Sequence, residues 1–108
     1  MATKIKMQCV MNDRSTVTRT AYLLPRMLGF LFAVTRDDDC KHGAKWSVSH
    51  YGSGMKAGVA CHTRRDAIDA FIERFNSLVK SNRAGVVSQI TQHPTINNGW
   101  YRNQKLNS

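Results

Sequence analysis

Apolar Ile5, Met7, Cys9 and Met11 alternate with Lys4, Lys6 and Gln8, and Val10 is the one apolar residue out of phase. A period of two predicts a half-buried strand. Asn12-Asp13 reads as a turn, and the β-formers Thr16, Val17, Thr18, Thr20 and Tyr22 between Ser15 and Leu23 predict a second strand that closes a hairpin with the first. Tyr22 to Leu28 also fits a helical turn. Pro25 and Gly29 punctuate the chain, and the apolar run Phe30-Leu31-Phe32-Ala33-Val34 has the length of a central strand. Asp37 to Gly43 is polar throughout and predicts a loop.

The next alternation is Trp46, Val48 and His50, followed by Gly52-Ser53-Gly54 and then by Met55, Ala57, Val59 and Cys61. This pattern predicts a hairpin, because glycine supplies the positive φ that a tight reversal demands. Thr63-Arg64-Arg65-Asp66 matches the capping box, with the Thr63 hydroxyl placed to accept from the Asp66 amide. Behind it Ala67, Ile68, Phe71, Ile72, Phe75, Leu78 and Val79 recur on one face of a helix over about residues 64 to 81, which Asn82 and Gly85 are expected to end. Val86, Val87 and Ile90 suit a short helix or strand. Residues 97–108 look like a C-terminal tail beyond a single domain of residues 1–96, with Trp100 and Tyr101 either folded back on the core or forming a contact surface. The predicted fold is α+β: an antiparallel sheet of about four to five strands against one long amphipathic helix, plus an irregular C-terminal segment.

Composition narrows the functional classes. At 108 residues a modest core is possible, but a catalytic domain beside a separate binding domain is not. No apolar run approaches the roughly 18 residues of a membrane span, and the lysines at the start have no apolar block behind them. Three cysteines without an export signal point to reduced thiols, so a cytoplasmic protein is expected.

Residue types that carry chemistry are present, but their spacing is poor. Cys40, His42, Cys61 and His62 invite a zinc reading, yet structural zinc sites draw ligands in pairs with two to four residues between them. Adjacent Cys61 and His62 at a strand end would also point to opposite faces. Cys61 is expected in the core on the face of Met55, Ala57 and Val59. Cys40, His42 and the run Asp37 to Asp39 hold the ingredients of a nucleophilic site, but in one loop with no scaffold. The Asp run lacks the spaced oxygen ligands of a calcium loop, and no phosphate-binding glycine loop is present. No metal, cofactor or catalytic residue is therefore assigned, and a non-enzymatic protein is expected.

Charge is the strongest functional signal: 16 Lys and Arg against 7 Asp and Glu give a net charge of +9. Lys4 and Lys6 fall on the polar face of the first strand, Lys45 and Lys56 on the later hairpin, and His62, Arg64 and Arg65 around the start of the helix. Two arginines in a first turn oppose the helix dipole. Either an anion docks on the N-terminal N–H groups with both arginines as clamps, or Asp66 and Asp69 offset an exposed pair. Binding contacts are assigned to Lys45, Lys56, His62, Arg64 and Arg65, with Tyr51, Trp100 and Tyr101 as aromatic contacts. Tyr22 and Trp46 are further aromatics able to stack on bases.

The order Trp46-Ser47-Val48-Ser49-His50, Gly52-Ser53-Gly54, then Thr63-Arg64-Arg65-Asp66-Ala67 resembles the strand, glycine turn, strand and helix start of small phage and mobile-element proteins. The resemblance implies an accessory protein, among which inhibitors of bacterial defence of the anti-CRISPR type are prominent. Such proteins are single domains without catalytic residues that occupy a surface of a host nucleoprotein complex. The basic charge departs from the acidic DNA mimics among them. The partner it implies is an acidic protein surface, or the DNA or RNA of the complex. A plain nucleic-acid-binding domain that reads phosphate backbone is the alternative.

Overall fold

The computed structural model describes residues 3–11, 13–37 and 45–97. Four strands, β1 (Lys4–Val10), β2 (Thr16–Leu23), β3 (Phe32–Arg36) and β4 (Trp46–His50), precede one helix, α1 (Arg64–Thr91). The strands form an antiparallel meander in the order β1-β2-β3-β4. The protein is thus α+β, a sheet packed against a long helix.

Strand periodicity assigns each side chain to one of two faces. On the helix side Phe32, Val34 and Val48 meet Ala67, Phe71 and Phe75. Phe32 sits 4.8 Å from Phe71 and 5.4 Å from Phe75, centroid to centroid, in the tilted and edge-on arrangements that aromatic quadrupoles favour. The opposite face buries Ile5, Met7, Cys9, Ala21, Ala33 and Tyr51. Many of its residues are small: Ala21, Ala33, Ser47 and Ser49 are all buried there. On this face β1 meets the turn after β4, where the Val10 amide donates to the Gly54 carbonyl at 2.9 Å. Gly54 is required at this closure. Its φ is +70°, and a Cβ would lie 2.5 Å from the Gln8 carbonyl oxygen.

Asn97, expected to open a frayed tail, is fully buried. Its side chain accepts from the Gln8 amide at 2.8 Å and donates to the carbonyls of Gln8 at 2.9 Å and Tyr51 at 2.6 Å. One carboxamide thereby ties the edge strand to the turn beyond β4. Trp100 and Tyr101 lie outside the described residues, as do Cys40 and His42.

Three elements depart from the sequence reading. The apolar run at Phe30 pairs two residues later than expected, because Met27 and Phe30 close a tight reversal with Leu28 at φ 53° and Gly29 at φ 81°. The strand expected over Met55–Cys61 is a bulged segment. It touches β4 at the bridges Ser49–Lys56 and Trp46–Cys61, and the amides of Ala57 and Gly58 both donate to the Val48 carbonyl. The extra residues break the alternation: Val59 is 57% exposed instead of buried, while Gly58 comes up against Phe71.

The third departure is the helix end. α1 continues past Asn82 to Thr91, but Asn82 itself is non-helical, with φ −159° and ψ 76°. Its side-chain oxygen accepts from the Gly85 amide at 3.0 Å, so Asn82 stops one helical run and caps the next. The kink returns Val86 and Ile90 to the core.

Candidate nucleic-acid interface

α1 covers only the β3–β4 half of its face of the sheet. Over the other half, β1 and β2 present their outward positions in fixed register: Lys4 opposite Tyr22, Lys6 opposite Thr20, and Gln8 opposite Thr18. Rungs of this kind hold the side chains in place, as Lys6 Nζ donates to Thr20 Oγ1 at 2.9 Å and Gln8 Nε2 to Thr18 Oγ1 at 3.0 Å. The surface continues into β3 and β4 through Arg36, which pairs with Trp46 in register. Tyr22 and Trp46 stand 6.1 Å apart, centroid to centroid.

Arg64 completes this surface from the helix. The Thr63 hydroxyl accepts from the Asp66 amide at 3.1 Å, which fixes the helix start as the capping box predicts. The Arg64 guanidinium then lies 4.2 Å from the Tyr22 ring centre and 5.9 Å from that of Trp46, and the Arg36 guanidinium lies 5.8 Å from Trp46. A cation that would oppose the helix dipole is thus turned toward aromatic faces, a contact worth about 0.5–1 kcal/mol at an exposed site. Lys4, Lys6, Arg36 and Arg64 with Tyr22 and Trp46 make one surface of four cations and two aromatics. No outward strand position on it carries Asp or Glu among the described residues.

The other assigned contacts scatter. Arg65 has its side chain 91% exposed, and its Nε lies 3.8 Å from Asp69 in a loose surface pair. His62 is exposed in the short link to Thr63. Lys45 is half-buried before β4, where its carbonyl accepts from the Asp37 amide. Lys56 is exposed on the bulged segment at the other end of β4. Tyr51, assigned as an aromatic contact, is only 6% exposed and belongs to the core under β1, so it offers no stacking face. Its place follows from the turn after β4 folding under the edge strand. Arg36 was not assigned; strand register places it beside Trp46, and the phase of β3 was the available signal.

The remaining reactive groups serve the fold. His50 Nδ1 is 2.8 Å from the Ser53 hydroxyl and accepts from the Ser53 amide at 3.3 Å, while the same hydroxyl accepts from the Met55 amide. This closes the turn, and Ser53 is buried. Burial, then the charge of His93, hold the His50 pKa below its usual value. Burial pushes the Cys9 thiol up, with the nearby Arg19 guanidinium acting against it. Among the described residues no group of three His, Cys, Asp or Glu could hold a metal ion, and no helix is long and apolar enough to cross a membrane. No family model, curated protein or solved structure matches the chain.

Proposed function

We propose that this chain is a small non-enzymatic protein that binds single-stranded nucleic acid along the open half of its sheet. Lys4, Lys6, Arg36 and Arg64 take successive phosphates, and Trp46 with the Arg64–Tyr22 stack offers planar surface to unpaired bases. The observation that carries this reading is the shared register: four cations and two aromatics from four strands and a helix start on one face. Nucleic acid demands this combination, since phosphates supply most of the attraction and every base has a face to stack. In the accessory-protein reading, the same surface engages RNA or DNA exposed in a host complex, a stoichiometric contact of phage or mobile-element type.

Fluorescence anisotropy with labelled single-stranded DNA, single-stranded RNA and duplex DNA tests the proposal. The single strands should bind more tightly than the duplex. Arg64→Ala and the double change Lys4→Glu/Lys6→Glu should each weaken binding by about tenfold or more, as lost phosphate and stacking contacts require. Lys80→Glu is the control: it lies 16 residues along α1 from Arg64, about 24 Å at the helical rise. An equal loss in the control would mean that overall charge, not this face, drives binding.

A further inference from the structure

The kink at Asn82 encloses a cavity of about 210 Å³ between α1 and the end of β4. Phe71 and Phe75 line it from the first helical run, Val86 and Ile90 from the second, and Phe32 from the sheet. A straight helix would carry Val86 and Ile90 away from this space, so the cap at Asn82 builds the pocket.

Its ionisable groups come from four different segments and are all basic. Lys56 stands on the bulged segment, Arg74 on α1, His50 at the end of β4 and His93 just past the helix. No Asp or Glu is among the described residues that line it. Two cations and two imidazoles thus stand beside apolar surface, a lining suited to an anion with an apolar body. Because the Ser53 amide donates to His50 Nδ1, the proton of the neutral ring is on Nε2, a donor for an acceptor in the cavity.

We propose that this cavity binds a small anion with an apolar body: a carboxylate or phosphate monoester on one aromatic ring or a short alkyl chain. The acid group pairs with Lys56 and Arg74 at the rim, and the body lies on Phe71 and Phe75. Size sets the class. The volume is that of about seven waters of the liquid, enough for a ring and its acid group and below the usual range for a nucleotide-sized or drug-sized ligand. The site lies apart from the sheet surface of Lys4, Lys6, Arg36 and Arg64, and shares no residue with it.

The test is an amide NMR titration of the full chain with phenylacetate, phenyl phosphate and octanoate, with benzyl alcohol as the neutral probe. The acids should give saturable shifts at residues 53–57 and 86–93 with Kd of about 1 mM or tighter, the range open to a ligand of about ten heavy atoms. Benzyl alcohol should bind about tenfold more weakly. Lys56→Ala and Arg74→Ala, both at exposed positions, should each weaken the acids by about tenfold and leave benzyl alcohol unchanged. Lowering the pH from about 8 to about 5.5 should tighten phenylacetate binding as His50 gains charge beside Lys56 and Arg74. The tighter of phenylacetate and phenyl phosphate identifies the head group. No saturable shift by about 10 mM, equal affinity for the alcohol, or shifts confined to β1 and β2 would overturn the proposal.

Discussion

Asn97→Ala probes how the sheet is closed. The Asn97 side chain makes three hydrogen bonds, all to backbone: it accepts from the Gln8 amide and donates to the Gln8 and Tyr51 carbonyls. Alanine removes all three and leaves main-chain partners shielded from water. At about 1 kcal/mol per bond, the expected loss is about 3 kcal/mol. For a domain of this size that lowers Tm by about 12 °C. The backbone bonds of Ile96 and Asn97 to the Gly52 carbonyl survive the change, so the loss isolates the carboxamide. Asn97→Asp sharpens the test, because it keeps the acceptor for Gln8 but sets a carboxylate against two carbonyls. It should be at least as destabilising at neutral pH and recover in part as acid protonates the new group. Urea unfolding with an unchanged m-value is the assay. A loss below about 1 kcal/mol for Asn97→Ala would refute the claim that this residue holds β1 to the turn beyond β4.

Three further outcomes follow from named groups. Gly54→Ala should destabilise by about 2 kcal/mol or more in the same urea assay, because it adds a Cβ at positive φ against the Gln8 carbonyl. His50 has a depressed folded pKa, so the unfolded chain takes up its proton first; stability should be greatest above about pH 6.5 and fall as the pH drops toward 5, with a shallower fall in His50→Gln. Cys9, buried and with its thiol pKa raised, should resist alkylation at about pH 8 in the native protein and react on unfolding, read by peptide mass spectrometry; the half-buried Cys61 should react sooner.

Where local and global preferences agree, the fold is legible in the sequence. The alternation of Ile5, Met7 and Cys9 with Lys4 and Lys6 is the alternation of buried and exposed residues along β1. The Thr63 cap sits where the S/T-x-x-D/E spacing puts it. The misreadings arise where a tertiary contact overrides a period. Met55 to Cys61 alternates like a strand, but Gly58 lets the helix approach at Phe71, and a bulge then exposes Val59. Asn82 does stop a helical run, yet the same side chain starts another, and only packing against the core decides that the second run forms. Asn97 looked like tail because its hydrogen-bond partner Gln8 is 89 residues away.

The candidate surface was half legible. Lys4, Lys6, Tyr22 and Trp46 were visible as a polar strand face and as aromatics, and Arg64 as a cation at the helix start. Their union depends on strand pairing and on the guanidinium turning toward Tyr22, neither of which a linear pattern encodes. Neighbours in sequence part here: Arg64 lies over the Tyr22 ring, while Arg65 is exposed with a loose pair to Asp69.

The most direct test of the nucleic-acid reading is the slope of log Kd against log salt for a labelled single strand between about 50 and 200 mM. Four phosphate contacts predict a slope near 3 and about 50-fold weaker binding across that range, with the slope falling by about 0.7 in Arg64→Ala. Absence of binding at about 50 mM, or a slope indifferent to changes at Lys4, Lys6, Arg36 and Arg64, would contradict it.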